Sequence, residues 1–244
     1  MAARGACTAA GHAGDRVPRR YIADTFADRV RAFRQGLKDS GYVEGENVAI
    51  EYRRAEGQFE RLPALAAELV RRKVAVMVAT GGSTSAFAAK AATTTIPIVF
   101  GAGEDPVRLG LVASLNRPGG NLTGINFFSN ELSAKRLELL RELVPAATLI
   151  AFIVNPNNPR TEFDVQDMEA AARALGQQII VLNAGNDRDL EALFTILSER
   201  KVGALLVGND PFLSSRPQQF ALMAERHAVP AIYGLREHAV AGVW

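Results

Sequence analysis

A chain of 244 residues, 48% hydrophobic and 22% charged, can hold one large domain or two lobes of about 110–120 residues, each with its own core. Its net charge is +2, and residues 1–20 carry four Arg against one Asp, so the body beyond them is close to neutral. With no Lys/Arg stripe, nucleic acid is excluded as a partner class. Cys7 is the single cysteine, which excludes an internal disulfide, and no apolar run of about 18 residues exists to cross a membrane as a helix.

Residues 1–23 read as an irregular, disordered tail in which Cys7 is an idle thiol. Gly11, His12 and Asp15 interrupt any apolar centre a secretory signal would need, so none is readable. As written, the chain is expected to stay in the cytoplasm. Regular structure begins at Asp24. Phe26, Val30, Phe33 and Leu37 form the apolar stripe of a helix that Gly41 stops. Val48–Tyr52 alternates as a strand, and Leu62, Leu65, Leu69 and Val70 mark a second helix, with Pro63 tolerated in its first turn. A strand over Val74–Ala79 runs into Thr80-Gly81-Gly82-Ser83-Thr84 and an Ala-rich helix ending near Ala92. Then come a strand Ile96–Phe100, a helix Val107–Leu115 and a short strand Thr123–Asn126.

The rhythm restarts with a helix Leu132–Val144 and a strand Leu149–Val154. A helix Glu162–Leu175, a strand Gln178–Leu182, a helix Arg188–Arg200 and a strand Ala204–Val207 follow. A helix Pro217–His227 and a strand Ala231–Tyr233 complete the pattern. Strands alternating with helices predict an α/β fold of βαβ units and parallel sheets. We expect two Rossmann-like lobes, 24–128 and 129–244, with the boundary at Asn126–Ser133. The first helix stands where a doubly wound lobe normally has a strand, and no element follows Trp244. The first lobe is therefore expected to lack its first strand and the second to be incomplete.

Three of the strands end in Asn- or Asp-Pro turns: Gly103-Glu104-Asp105-Pro106, Asn155-Pro156-Asn157-Asn158-Pro159 and Gly208-Asn209-Asp210-Pro211. Polar loops at the carboxyl ends of parallel strands are where open α/β sheets bind ligands. The loop Thr80–Thr84 opens a helix, and its glycines let an anion approach free N–H groups. It reads equally as a tight turn capped by Ser83 or Thr84. Asp105 and Asp210 can face an ammonium group or cap the helices that their following prolines start. Asn155, Asn157 and Asn209 can bond a ligand or build Asx turns. Phe212 and Tyr233 can line a pocket or pack in the core.

Catalytic arrangements are missing. His12, His227 and His238 are too scattered for a metal site, and neither a Gly-x-Ser-x-Gly elbow nor a dinucleotide-binding Gly-x-Gly-x-x-Gly is present. No cofactor is implied, and an enzyme is not expected.

The stretch Phe33-Arg34-Gln35-Gly36-Leu37 with Gly41-Tyr42-Val43-Glu44-Gly45-Glu46-Asn47, then Ile96-Pro97-Ile98-Val99-Phe100, Asp105-Pro106-Val107, Arg117-Pro118-Gly119-Gly120-Asn121-Leu122-Thr123-Gly124 and Asn155-Pro156-Asn157-Asn158-Pro159 resembles the substrate-binding proteins of ABC transporters. The group concerned includes tryptophan- and phenylalanine-binding members, and the likeness covers residues 24–240. It implies the type I periplasmic-binding-protein fold, a periplasmic location and membrane permease subunits as partners. It also implies a small ligand, an amino acid among the candidates, trapped between two lobes by Thr80, Gly81, Ser83, Thr84, Asp105, Asn155, Asn157, Asn209, Asp210 and Tyr233. Against the family pattern, the secretion signal and first strand are replaced by residues 1–23 and the closing segment after Gly242 is missing. The rival readings are the ligand-sensing domain of a transcription regulator and an enzyme built on two Rossmann-type lobes.

Overall fold

The computed structural model describes residues 3–4, 6–8 and 24–240, which divide into one unit ending at Phe128 and another beginning at Ser129. The first unit contains β1 (Ala3–Arg4), β2 (Ala6–Thr8), α1 (Asp24–Asp39), β3 (Val48–Ala49) and β4 (Tyr52–Arg53). It continues with α2 (Leu62–Arg71), β5 (Met77–Ala79), α3 (Ser83–Ala92), β6 (Ile98–Ala102) and β7 (Leu122–Asn126). The second contains α4 (Ser133–Leu143), β8 (Leu149–Val154), α5 (Thr161–Leu175), β9 (Gln178–Asn183), α6 (Asp187–Glu199) and β10 (Ala204–Val207). Its last elements are α7 (Pro211–Ser214), α8 (Pro217–His227), β11 (Ala231–Ile232) and α9 (Arg236–Val240). The chain is thus mixed α/β, with parallel sheets in two sets.

In the first unit the main sheet has the order β4-β2-β5-β6-β7, every neighbouring pair parallel. The expectation of a missing first strand is corrected here. Cys7 pairs with Val78 on one side and with Tyr52 on the other, so β2 fills the interior of the sheet. Cys7 therefore lies on a strand rather than in an irregular tail. Three small or polar residues make too short a run to stand out in the sequence. Their backbone groups nonetheless meet the ladders that β4 and β5 would otherwise leave open. The other residues of 1–23, and those after Val240, lie outside the described set.

Two further expectations change. The single strand Val48–Tyr52 is split: β3 pairs with β1 and β4 with β2, two separate partners. The helix expected over Val107–Leu115 is one tight turn. Leu111 N–H donates to the Pro106 carbonyl, Gly110 takes a φ of +69°, and the Lys90 ammonium closes the turn by bonding the carbonyls of Gly110 and Leu111. A left-handed glycine at this point ends helical growth.

The second sheet runs β11-β10-β8-β9, again parallel throughout. Apolar residues on both faces of β8 and β10 explain why helices cover both sides. Ala151, Ile153, Leu205 and Val207 pack with Leu190, Leu193 and Leu197 of α6, Phe212 of α7 and Phe220 of α8. The alternate residues Ile150, Phe152, Val154, Ala204 and Leu206 pack with Leu137 and Leu140 of α4 and Met168 of α5. The first unit has its own core, from Leu69, Met77, Ala86, Ile98, Phe100 and Leu122. No helix among the described residues is long and apolar enough to cross a membrane. The rigid scaffold of both units ends, at the carboxyl edge of each sheet, in polar loops.

Candidate functional site

In the first unit, β5 leads through Thr80, Gly81 and Gly82 into α3. Gly82 is the N-cap, with a φ of +86° that suits glycine, and no side chain caps the helix. Neither Ser83 nor Thr84 is therefore the capping residue. Ser83, almost fully buried, instead donates its hydroxyl to Glu104 Oε1 at 2.9 Å, and Gly103 N–H donates to Glu104 Oε2 at 3.2 Å. A carboxylate from the end of β6 thus stands beside the start of α3. Thr80 is exposed and Thr84 half-buried in the same loop. Asp105 accepts from Val107 N–H at 2.8 Å and Arg108 N–H at 3.3 Å, so it caps the turn that follows.

In the second unit the loops after β8 and β10 are joined by side chains. Asn155 is buried, accepts from Asn157 N–H in an Asx turn, and donates from Nδ2 to Asp210 Oδ1 at 3.0 Å. Asn158 Nδ2 donates to Asp210 Oδ2 at 2.8 Å. Asp210 is the N-cap of α7, accepting from the N–H groups of Phe212 and Leu213, and is only 5% exposed. Burial pushes its carboxyl up from the usual range, against the four hydrogen bonds that favour the charged form. Asn157 is exposed, its side chain lying over Gly185, where a Cβ would come within 2.5 Å of Nδ2.

Asn209 is tied in both directions. Its Nδ2 donates to the Ser129 carbonyl at 2.7 Å and to Asn130 Oδ1 at 3.3 Å, while Oδ1 accepts from Arg136 Nη1 at 3.5 Å. Arg136 comes from α4, is 7% exposed, and also donates to the Val207 carbonyl and to Ser133 Oγ. Burial lowers its pKa to about 10, with Asp164 opposing through space. It therefore remains a cation at neutral pH. Tyr233 stacks on His238, ring centroids 4.5 Å apart, and meets the edge of Phe220. Its hydroxyl is buried without a hydrogen-bond partner, and burial raises its pKa. Phe212 is a core residue under the Arg216 guanidinium, which sits 3.6 Å above its ring.

Thr80, Gly81, Ser83, Thr84 and Asp105 therefore share one sheet edge in the first unit. Asn155, Asn157, Asn209 and Asp210 share one in the second, and Tyr233 follows β11 at that same edge. Glu104 and Arg136 are the residues that sequence reasoning passed over. Glu104 was legible only as part of a turn. Arg136 had a signal: it falls on the apolar stripe of α4 with Leu137 and Leu140, where a solvated charge does not belong. Among the described residues no group of three or more His, Cys, Asp or Glu can hold a metal ion.

Residues 23–242 match the model of the family described as ABC transporter substrate binding protein. A tyrosine-binding protein of Clostridioides difficile strain R20291 is 30% identical over 203 residues, covering 83% of this chain. The chain spans 57% of the length of that relative. Among solved structures, a conserved domain protein of Vibrio cholerae O1 biovar El Tor superposes with a TM-score of 0.80 at 23% identity, over 100% of this chain and 77% of the other. The ABC domain from Streptococcus pneumonia in complex with L-Trp superposes with a TM-score of 0.72 at 20% identity, over 98% of this chain and 76% of that one. These likenesses match the two parallel-sheet units to the type I periplasmic-binding-protein-like fold.

Proposed function

The chain belongs to the ABC transporter substrate-binding protein family, and from that premise we propose that it is the solute-binding component of an ABC uptake transporter. Its solute is a small amino acid-like molecule, an aromatic amino acid first among the candidates. The observation that carries this reading is the set of polar side chains at the carboxyl ends of parallel strands: Ser83 and Glu104 in the first unit, Asn155, Asn209 and Arg136 in the second. Open α/β sheets present ligand groups at that edge. The tyrosine-binding relative supports an aromatic amino acid.

The local hydrogen bonds redistribute the roles. Asp105 and Asp210 are engaged as caps, and Asp210 also holds Asn155 and Asn158. Glu104, a carboxylate beside the start of α3 that itself accepts from Ser83 and Gly103, joins Asp105 as a candidate for an ammonium group. Ligand binding shifts the protein towards whichever conformation it contacts best, and a permease in the membrane reads that shift. Delivery to a permease places the protein on the outer side of the cytoplasmic membrane. Calorimetric titration of the chain with L-tyrosine, L-tryptophan, L-phenylalanine and L-leucine tests the proposal. Saturable binding of one of them is expected, and no heat from any of the four rejects an amino acid as the solute.

A further inference from the structure

The sheet edge of the second unit contains a buried cation with no anion bonded to it. Arg136 is 7% exposed, and its hydrogen-bond acceptors are the Val207 carbonyl, Ser133 Oγ and Asn209 Oδ1, all neutral. Its Nε has no partner, and none of the ion pairs of the described residues includes it. Asp164 acts on it only through space, and one Asp164 oxygen already accepts from Asn130. Withdrawing a charge from water is unfavourable unless something of opposite sign completes the site. The comparison with Arg216 in the same unit is direct. That guanidinium is equally buried, and it has its carboxylate, Asp187, at 2.7 Å.

There is also a place for an acceptor oxygen beside Arg136, which Asn209 now fills. Gly234, exposed, follows β11 beside the guanidinium, and a Cβ there would come within 2.9 Å of Arg136 Nη1 and collide with Asn209 Oδ1. The missing side chain leaves that space beside Nη1 to the Asn209 amide oxygen, which occupies it. The Asn209 contact at 3.5 Å is at the outer limit of a hydrogen bond. It is the contact that a stronger acceptor replaces at least cost.

We propose that Arg136 is the residue that receives the carboxylate of the transported solute, entering over Gly234 and taking the place of the amide oxygen of Asn209. This inference rests on the solute-binding reading above and deepens it by naming the residue that meets the solute's carboxylate. The N-terminus of α3, the other candidate for an anion, already has the Glu104 carboxylate beside Ser83. A second anion there meets repulsion, whereas an ammonium group meets attraction.

The test pairs each solute with its counterpart lacking the carboxylate: L-tyrosine with tyramine, L-tryptophan with tryptamine, benzoate with benzyl alcohol. Titrations are run on the wild type, Arg136→Gln and Arg136→Lys. In the wild type, a carboxylate solute is expected to bind about 30-fold or more tighter than its counterpart. Arg136→Gln erases that preference by weakening the carboxylate solute far more than its counterpart, whereas Arg136→Lys, which keeps the charge, retains part of it. Equal losses for both members of a pair in Arg136→Gln would assign Arg136 a purely structural role and overturn the inference. So would a preference that survives the substitution. If Arg136→Gln fails to fold, Arg136→Lys decides: no remaining preference for the carboxylate overturns the inference as well. A wild type that binds tyramine as well as L-tyrosine rejects the carboxylate role alone. A wild type that binds none of the six rejects the solute-binding reading and this inference with it.

Discussion

The amide of Asn155 donates to the Asp210 carboxylate across 3.0 Å, joining the loop after β8 to the loop after β10, 55 residues apart in the chain. The same carboxylate oxygen caps α7, and its other oxygen holds Asn158. One side chain thus fixes both loops of the candidate site. A residue that reads as a ligand's ammonium partner is here the post on which neighbouring binding groups are hung.

Replacing Asp210 with alanine removes the cap and leaves two amide donors, those of Asn155 and Asn158, without their acceptor. A lost cap costs roughly 0.5–2 kcal/mol and each buried unsatisfied donor about 1–3 kcal/mol, offset by relief of the buried charge. A net loss of about 2–4 kcal/mol is expected from urea unfolding of Asp210→Ala. A loss below about 0.5 kcal/mol would return Asp210 to the role of a ligand-facing acid.

The same carboxyl gives a pH signature. Its folded pKa is raised above the ordinary 3.8, chiefly by burial. The folded state therefore holds its proton more readily than the unfolded chain. The stability this supplies is present at low pH and is lost as pH rises from the unfolded value through the folded one. The deficit of Asp210→Ala relative to wild type is thus expected to be larger near pH 4 than near pH 7, where the wild type carries the buried charge. Urea titrations at both pH values measure it, and a deficit that shrinks on acidification contradicts the assignment.

The strands β8 and β10 were readable because six and four consecutive apolar residues between helical stripes leave little alternative to a buried parallel strand. The cap at Asp210 was half readable, since Asp before Pro starts helices as often as it meets ligands. Glu104 was hidden because its partner, Ser83, lies 21 residues away and no local pattern links the two. The turn after Asp105 looked helical because an Asp-Pro pair there can start a helix. Gly110 ends it locally, and the bonds from Lys90 of α3 that hold the turn closed are tertiary. Strand β2 escaped for a different reason. Ala6, Cys7 and Thr8 carry no periodicity, and only the pairing on both sides makes them a strand.

That placement of β2 can be tested at Cys7. Within an interior strand its N–H and carbonyl groups belong to ladders with β4 and β5. Proline there removes a ladder donor and is poorly tolerated in mid-sheet. Cys7→Pro is expected to accelerate hydrogen exchange in β4 and β5 while leaving β8 and β10 as protected as in wild type. Exchange in β5 that stays at the wild-type rate would mean that β2 does not occupy the sheet.

Gly234 offers the last prediction, because it separates access from charge. In Gly234→Ala the added Cβ collides with Asn209 Oδ1 and crowds Arg136 Nη1 at 2.9 Å. Overpacking of this kind costs about 1–3 kcal/mol where neighbours cannot move. Gly234 is exposed, but Asn209 gives way only by loosening its bonds to Ser129, Asn130 and Arg136, so the middle of that range is expected. Arg136 keeps its charge in this variant, so any loss of binding reports on the blocked approach rather than on electrostatics. The expected result is a stability about 2 kcal/mol below wild type, together with an affinity for L-tyrosine reduced about tenfold or more, a loss of about 1.4 kcal/mol in binding free energy per factor of ten. Wild-type affinity in a stable Gly234→Ala protein would show that the solute does not enter over this glycine, and the route to Arg136 would have to be abandoned.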